Sequence, residues 1–356
     1  MHSWFLKLCY KGRMNVLFIG GTGIISSACT RLAVQRGFNL TLLTRGQRPG
    51  EGVDGAETVT ADINDATAVS RALRGRKFDV IVNWIAFTAA DIERDLELFR
   101  GRTRQYIFIS SASAYQKPST DYLITESTPL ANPHWDYSRN KIACEERLLK
   151  AYREESFPAT IVRPSLTYGE HLIPLVINSW ERSYTVVDRM LKGKKVIVPG
   201  DGSSLWVITH NTDFAKGFTG LLGHEQAIGH AFHITTDEVL TWDQLYRIVA
   251  EAVGVEARIV HIPSDFMIAC LPQMEGTLIG DKSVSVVFDN SKIKHFVPEF
   301  VATTRFAQGI RRSLAWFDAD PSRKLIDSEQ NVIWDKLIEG YEKGLKDTAG
   351  GFQDRH

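Results

Sequence analysis

Along the first half of the chain, short runs of consecutive apolar residues alternate with segments whose apolar positions recur every three or four residues. Val16 to Ile19, Asn39 to Thr44, Thr58 to Ala61, Phe78 to Trp84 and Tyr106 to Ser110 read as strands. Ser27 to Arg36 and Ala66 to Leu73 read as helices between them, and a later helical run extends to Leu149. Nearly continuous apolar strands are buried on both faces, which requires helices above and below a parallel sheet. The alternation therefore predicts an α/β, doubly wound parallel Rossmann sheet with crossover connections.

After Arg163 the texture changes. Ser179 to Leu191, Asp213 to Leu222, Phe306 to Trp316 and Val332 to Lys346 read as helices, and Lys195 to Val198 and Ala231 to Ile234 as strands. Trp242 to Val253 is an amphipathic helix opened by Thr241. We expect a dinucleotide-binding domain over 14–169, its sheet completed by 206–235. A smaller, mixed substrate-binding domain is expected from 170–205 and 236–346. The stripe Ile333, Leu337 and Tyr341 is that of a packing helix.

Composition narrows the function. Lys plus Arg and Asp plus Glu both total 42, so the formal net charge is zero, against the basic excess of a nucleic-acid binder. The longest early apolar run, Val16 to Ile19, is far short of the ~20 residues that span a bilayer. The segment before Met14 has no signal-peptide pattern and reads as an extension. Cys9, Cys29, Cys144 and Cys270 lie far apart, as reduced thiols of a cytoplasmic protein do. The histidines show no metal-ligand spacing, so no metal is expected.

Gly20, Gly23 and Ser26 occupy the three positions of a G-x-x-G-x-x-G turn between a strand and a helix. Gly20 suits the tight turn, Gly23 lets backbone approach a pyrophosphate, and Ser26 is small enough for helix–strand packing. At the end of the second strand stand Arg45 and, nearby, Arg48. An NAD site places an acidic residue there, whereas an arginine suits the extra phosphate of NADP. The reading leans to NADP, with solvated loop arginines as the alternative.

The fifth strand ends in Ser110, Ser111 and Ser113, at the sheet edge where such folds bind ligands. Tyr137 and Lys141 follow, four apart, and so share one helix face. A lysine ammonium beside a phenol favours the phenolate, and a nearby serine hydroxyl can hold a substrate oxygen.

Together these residues resemble the extended branch of the short-chain dehydrogenase/reductase superfamily, the NAD-dependent epimerases and dehydratases. The resemblance runs from Met14 to about Trp316. It includes Asp62-Ile-Asn-Asp65, Asp79 to Ala86, Val162 to Gly169, Gly200-Asp-Gly202 and Phe288-Asp-Asn-Ser-Lys292. It implies Tyr137 as catalytic acid/base, Lys141 binding the nicotinamide ribose and depressing the tyrosine pKa, and Ser111 as hydroxyl partner, with Ser113 its competitor. It implies a cofactor site of Gly20, Thr22, Gly23, Ile24, Arg45, Asp62, Ile63 and Ala86, completed by Tyr137 and Lys141. Ser113, Tyr115, His134 and Trp206 are candidates for touching substrate, and Trp135 lies beside them.

The chain also departs from that pattern. Phe87 to Gln105 is short where family members carry a longer loop and helix that often packs in dimers, so a homodimer is left open. Trp206 stands where a basic residue commonly clamps a nucleotide-sugar diphosphate, and an indole cannot supply bidentate charge-assisted bonds. The expected function is an epimerase or dehydratase acting on a sugar-like or nucleotide-sugar-like polyol. The alternatives are an NADPH-dependent carbonyl reductase and a non-catalytic NAD(P)- or RNA-binding regulator on the same fold.

Overall fold

The computed structural model describes residues 14–47 and 53–353; the amino-terminal extension, Cys9 and Arg48 lie outside them. Seven strands form the central sheet: β1 (Asn15–Ile19), β2 (Asn39–Thr44), β3 (Glu57–Thr60), β4 (Phe78–Asn83), β5 (Thr103–Ile109), β6 (Ala159–Arg163) and β7 (Ala231–His233). Their order is β7-β6-β5-β4-β1-β2-β3, and every pairing is parallel. The chain builds outward from β1 to β3, then returns to β4 on the other side. The reversal between β1 and β4 leaves a crevice at their carboxyl ends.

Alternate residues of the same strands feed two different cores. Val16, Phe18, Val80 and Val82 pack with Ala28, Cys29 and Ala33 of α1 (Ser26–Gln35) and with Phe214 and Phe218. Leu17, Ile19 and Ile81 turn the other way. They meet Val69 of α2 (Ala66–Ala72), Ile92 and Leu96 of α3 (Ala89–Phe99), and Cys144 and Leu148 of α4 (Asp136–Glu155). This two-sided burial is what the unbroken apolar runs encode.

A third core gathers the later elements. It joins α5 (Thr185–Leu191), α7 (Trp242–Ala252) and the helices Phe306–Asp318 and Ser328–Gln353 around Trp206 and Trp242. Val196–Pro199 and Ile259–Ile262 form a separate parallel pair there. Between them, α6 (Asn211–Leu221) carries Phe214 and Phe218 back to the sheet. Among the described residues, no helix is long and apolar enough to cross a membrane.

Two elements differ from the sequence reading. The short Phe87–Gln105 segment contains α3, because Thr88 and Asp91 form a reciprocal capping box that satisfies its first amides. The helix expected from Ser179 starts only at Thr185. Ahead of it, Asn178 Nδ2 donates to the Ile173 and Ser183 carbonyls, and Ser179 Oγ donates to Asp327. Polar side chains there hold the backbone in non-helical turns.

One buried ion pair fixes α4 against the sheet. Arg163, the last residue of β6, donates from Nε to Glu145 Oε1 at 2.9 Å and from Nη2 to Oε2 at 2.6 Å. The Glu145 side chain is 0% exposed and the Arg163 side chain 5%. Removing one partner leaves an uncompensated buried charge, at a cost of roughly 3–5 kcal/mol. Urea unfolding of Glu145→Ala should show a loss in that range. A loss below ~1 kcal/mol would mean that α4 is held by apolar packing alone.

Candidate active site

The crevice at the ends of β1 and β4 opens into a cavity of about 950 Å³. Its floor is the glycine turn. Gly20 and Gly21 have φ of +89° and +110°, and a Cβ on either would come within 3.0 Å of Ile85 or Leu42. At Gly23 the nearest side-chain atom to such a Cβ is Ser26 Oγ at 3.5 Å, so the position is open to an approaching group. Ser26 is more than tolerated at the third position, because its Oγ accepts the Gly23 N–H at 2.9 Å and locks the turn. Asn211, at the start of α6, donates to the Ile24 carbonyl at 2.7 Å and holds the loop from the other side. Thr22 and Ile24 border the cavity between them.

Opposite the turn, Arg45, Asp62 and Ile63 border the same cavity, with Arg45 exposed at the end of β2. The end of β4 is set by Asn83, whose Oδ1 accepts the Ile85 and Ala86 amides, each at 2.8 Å. Its Nδ2 donates to Asp95, which also receives the Tyr106 hydroxyl at 2.5 Å. Trp84 and Ile85 border the cavity; Ala86 is buried behind them and contributes its carbonyl to Lys141 instead. The buried Ser110 hydroxyl borders the cavity without a hydrogen-bond partner among the described residues. A cradle that a Cβ would fill, an unspent hydroxyl and an arginine at the β2 edge fit a phosphorylated dinucleotide.

The chemical groups sit where this cavity narrows. Tyr137 and Lys141 lie one turn apart at the start of α4 and both border it. Lys141 Nζ donates to the Ala86 carbonyl at 2.8 Å and the Ile109 carbonyl at 2.9 Å, and stands 5.9 Å from the Tyr137 ring centre. Burial lowers its pKa to about 8. Burial also raises the Tyr137 phenol; a side-chain hydrogen bond from Ser111 opposes the rise and the Asp281 charge adds to it. The phenol therefore lies above its ordinary value, where the resemblance implied a depression.

Ser111 and Ser113 separate by their hydrogen bonds. Ser138 Oγ donates to Ser113 Oγ at 2.8 Å, and Ser113 Oγ lies 2.9 Å from Ser111 Oγ. Ser113 is buried and occupied inside this chain of hydroxyls, while Ser111 ends it beside Tyr137. Ser138, one residue past Tyr137, is a support that the sequence reading did not include.

A second, inner cavity of about 160 Å³ shares Ser111, Tyr137, Ser165 and Trp180 with the larger one. Trp135, Trp206, Ser113 and Tyr115 also wall it. Tyr115 is spent, its hydroxyl 2.9 Å from His233 Nδ1 and its ring under Arg163. His134 borders neither cavity; its Nδ1 lies 3.0 Å from Glu275. Lys117, Trp180 and Lys282 reach the inner cavity without having been expected there. No local pattern marks them, since Lys117 meets Asp281 across 164 positions.

This fold and site define a member of the extended short-chain dehydrogenase/reductase superfamily. The chain belongs to the NAD dependent epimerase/dehydratase family, whose model matches residues 16–235. It is similar to the chloroplast stem-loop binding protein of 41 kDa b of Arabidopsis thaliana, 30% identical over 71% of this chain and 67% of that one. It is also similar to 2'-dehydrokanamycin reductase of Streptomyces kanamyceticus, 24% identical over 81% and 80%. An epimerase from Methanothermobacter thermautotrophicus shares the fold with a TM-score of 0.71 at 17% identity, over 87% of this chain and 94% of that one. So does dTDP-glucose 4,6-dehydratase from Bacillus anthracis in complex with NAD, with a TM-score of 0.68 at 20% identity over 91% and 99%.

Lys141 gives a pH test. Its folded pKa of about 8 lies below the ordinary 10.5, so between those values the unfolded chain binds more protons and stability rises with pH. The stability of the wild type relative to Lys141→Met should therefore climb by on the order of 3 kcal/mol across that window. Urea melts at its two ends measure this, and a flat difference would mean that the ammonium is solvated.

Proposed function

We propose that the chain is an NAD(P)-dependent epimerase or dehydratase of the extended short-chain type, acting at a carbinol carbon of a sugar-like polyol. The supporting observation is that Ser111 and Tyr137 border both cavities, so one wall faces the dinucleotide cradle and the inner pocket together. When bound, the nicotinamide takes up or delivers a hydride. Ser111 donates to the substrate oxygen, with its proton directed outward by Ser113 and Ser138. Tyr137 takes or returns the hydroxyl proton. Lys141, protonated below about 8, is the near cation that steadies a phenolate and the group that reaches the ribose.

Arg45 favours NADP, since a guanidinium pairs with a 2′-phosphate and the described cavity rim offers it room. That same residue, together with similarity to a named reductase over four-fifths of both chains, supports a second reading as a net NADPH-dependent carbonyl reductase. Stoichiometric consumption of reduced cofactor with a carbonyl substrate distinguishes it from isomerisation or dehydration without net turnover of cofactor. The Arabidopsis relative's name raises RNA binding as a third reading. The zero net charge weighs against it, and salt-dependent binding of a stem-loop RNA by the purified chain would establish it.

Tyr137→Phe should abolish turnover, by about a hundredfold or more, while cofactor affinity measured by fluorescence titration stays within about twofold. Full activity in that variant sinks the acid/base assignment. Arg45→Ala should weaken NADP about tenfold or more relative to NAD, as loss of a charge-assisted pair requires. Equal weakening of both cofactors would remove the NADP preference.

A further inference from the structure

The inner cavity holds an excess of buried positive charge. Lys117 is 5% exposed and Lys282 4%. Between them stands Asp281, whose Oδ2 accepts from Lys282 Nζ at 2.7 Å and whose Oδ1 is 3.8 Å from Lys117 Nζ. Lys117 also donates to the Asp281 backbone carbonyl at 3.2 Å. Each ammonium carries three N–H donors, so one carboxylate and one carbonyl leave most of them unspent. Both ammoniums lie over the Trp206 ring, at 5.7 and 6.0 Å from its centre, which offsets only part of the desolvation. The Trp206 Nε1–H is itself buried and has no partner among the described residues. A buried charge without a counter-charge is costly, and here two cations share one anion beside an open volume.

Size restricts what can balance that charge. A cavity of ~150 Å³ holds one benzene-sized ring. The inner cavity, at about 160 Å³, is thus of single-ring size, and a nucleotide attached to that ring would have to lie in the adjoining larger cavity, where the dinucleotide is proposed to bind. Its mouth is the wall carrying Ser111 and Tyr137. A ring seated in it presents a carbinol to those hydroxyls while its far end meets the lysines.

Resting on the oxidoreductase reading above, we propose that the substrate is a single-ring polyol bearing one anionic group, a carboxylate or a phosphate, bound by Lys117 and Lys282 over Trp206. The arrangement selects against neutral sugars, which leave the lysines uncompensated, and against nucleotide sugars, whose nucleotide would compete with the dinucleotide for the adjoining cavity. Burial lowers the Lys117 pKa, with the Asp281 charge opposing the shift and the Lys282 charge adding to it. An incoming anion reverses that effect and keeps the ammonium charged.

The test is equilibrium binding in the full chain carrying Tyr137→Phe and loaded with NADP, so that it does not depend on turnover. Calorimetry with D-glucuronate, D-glucose 6-phosphate, D-glucose and UDP-glucose separates the classes. At least one of the two anionic single-ring sugars should bind in the millimolar range or tighter, and at least tenfold tighter than glucose and UDP-glucose. The preference between them identifies the anion as carboxylate or phosphate. Adding Lys282→Met should weaken that anion tenfold or more and leave glucose unchanged, whereas Asp281→Asn should tighten it. Retained NADP binding shows that each variant is folded. Failure of both anions to bind in the millimolar range, equal binding of glucose, or tighter binding of UDP-glucose overturns the proposal. None of these outcomes touches the acid/base assignment, which the turnover experiment alone decides.

Discussion

The site depends on the rotation of one helix about its axis, and the Arg163–Glu145 pair sets that rotation. Tyr137, Lys141 and Glu145 are spaced by four along α4, so they form a single stripe. Anchoring Glu145 to the end of β6 turns the whole stripe toward the carboxyl edge of the sheet. Taking two charges out of water yields little net stability, so specificity of orientation is what the pair supplies. Arg163 also lies 4.8 Å from the Tyr115 ring centre, and the Tyr115 hydroxyl lies 2.9 Å from Nδ1 of His233, the last residue of β6's neighbour β7. One guanidinium therefore ties α4, the strand edge and the wall of the inner cavity together.

What was legible in the sequence follows from how local the physics is. The strands were readable because apolar runs such as Val16 to Ile19 serve two cores at once, Val16 and Phe18 on one face and Leu17 and Ile19 on the other. The glycine turn was readable because its positive φ values and the Gly23–Ser26 hydrogen bond fall within seven residues. The same locality made α3 available in principle, since Thr88 and Asp91 spell a capping box. It was obscured by comparison with longer relatives. The front of α5 failed for the opposite reason. Its residues have helical periodicity, but Ser179 is claimed by Asp327, 148 positions away.

The inner cavity lay beyond that horizon. Trp206 was identifiable as the residue standing where a clamp was expected, yet its meaning depended on Lys117 and Lys282, brought over its ring from opposite sides in sequence. The substitution of tryptophan for a basic residue did not remove positive charge from the site. Lys117 and Lys282 lie over the indole and line the same small cavity. A distal arginine suits a diphosphate lying along a groove. Two ammoniums at the closed end of a small cavity suit a compact anion.

Tyr137 and Lys141 show why the filled site differs electrostatically from the chain alone. Burial pushes both toward neutrality, the phenol upward and the ammonium down to about 8. The ammonium is held by the Ala86 and Ile109 carbonyls, on the side of β4 and β5 where the dinucleotide cradle ends. A phenolate at Tyr137 would be a buried anion with Ser111 as its only strong donor and Asp281 repelling it. An anionic group engaging Lys117 and Lys282 leaves Asp281 less well neutralised and would raise that penalty. Lys141, 5.9 Å from the Tyr137 ring centre, is a cation that can offset it. Its protonation would therefore link occupancy of the inner cavity to the charge state of Tyr137.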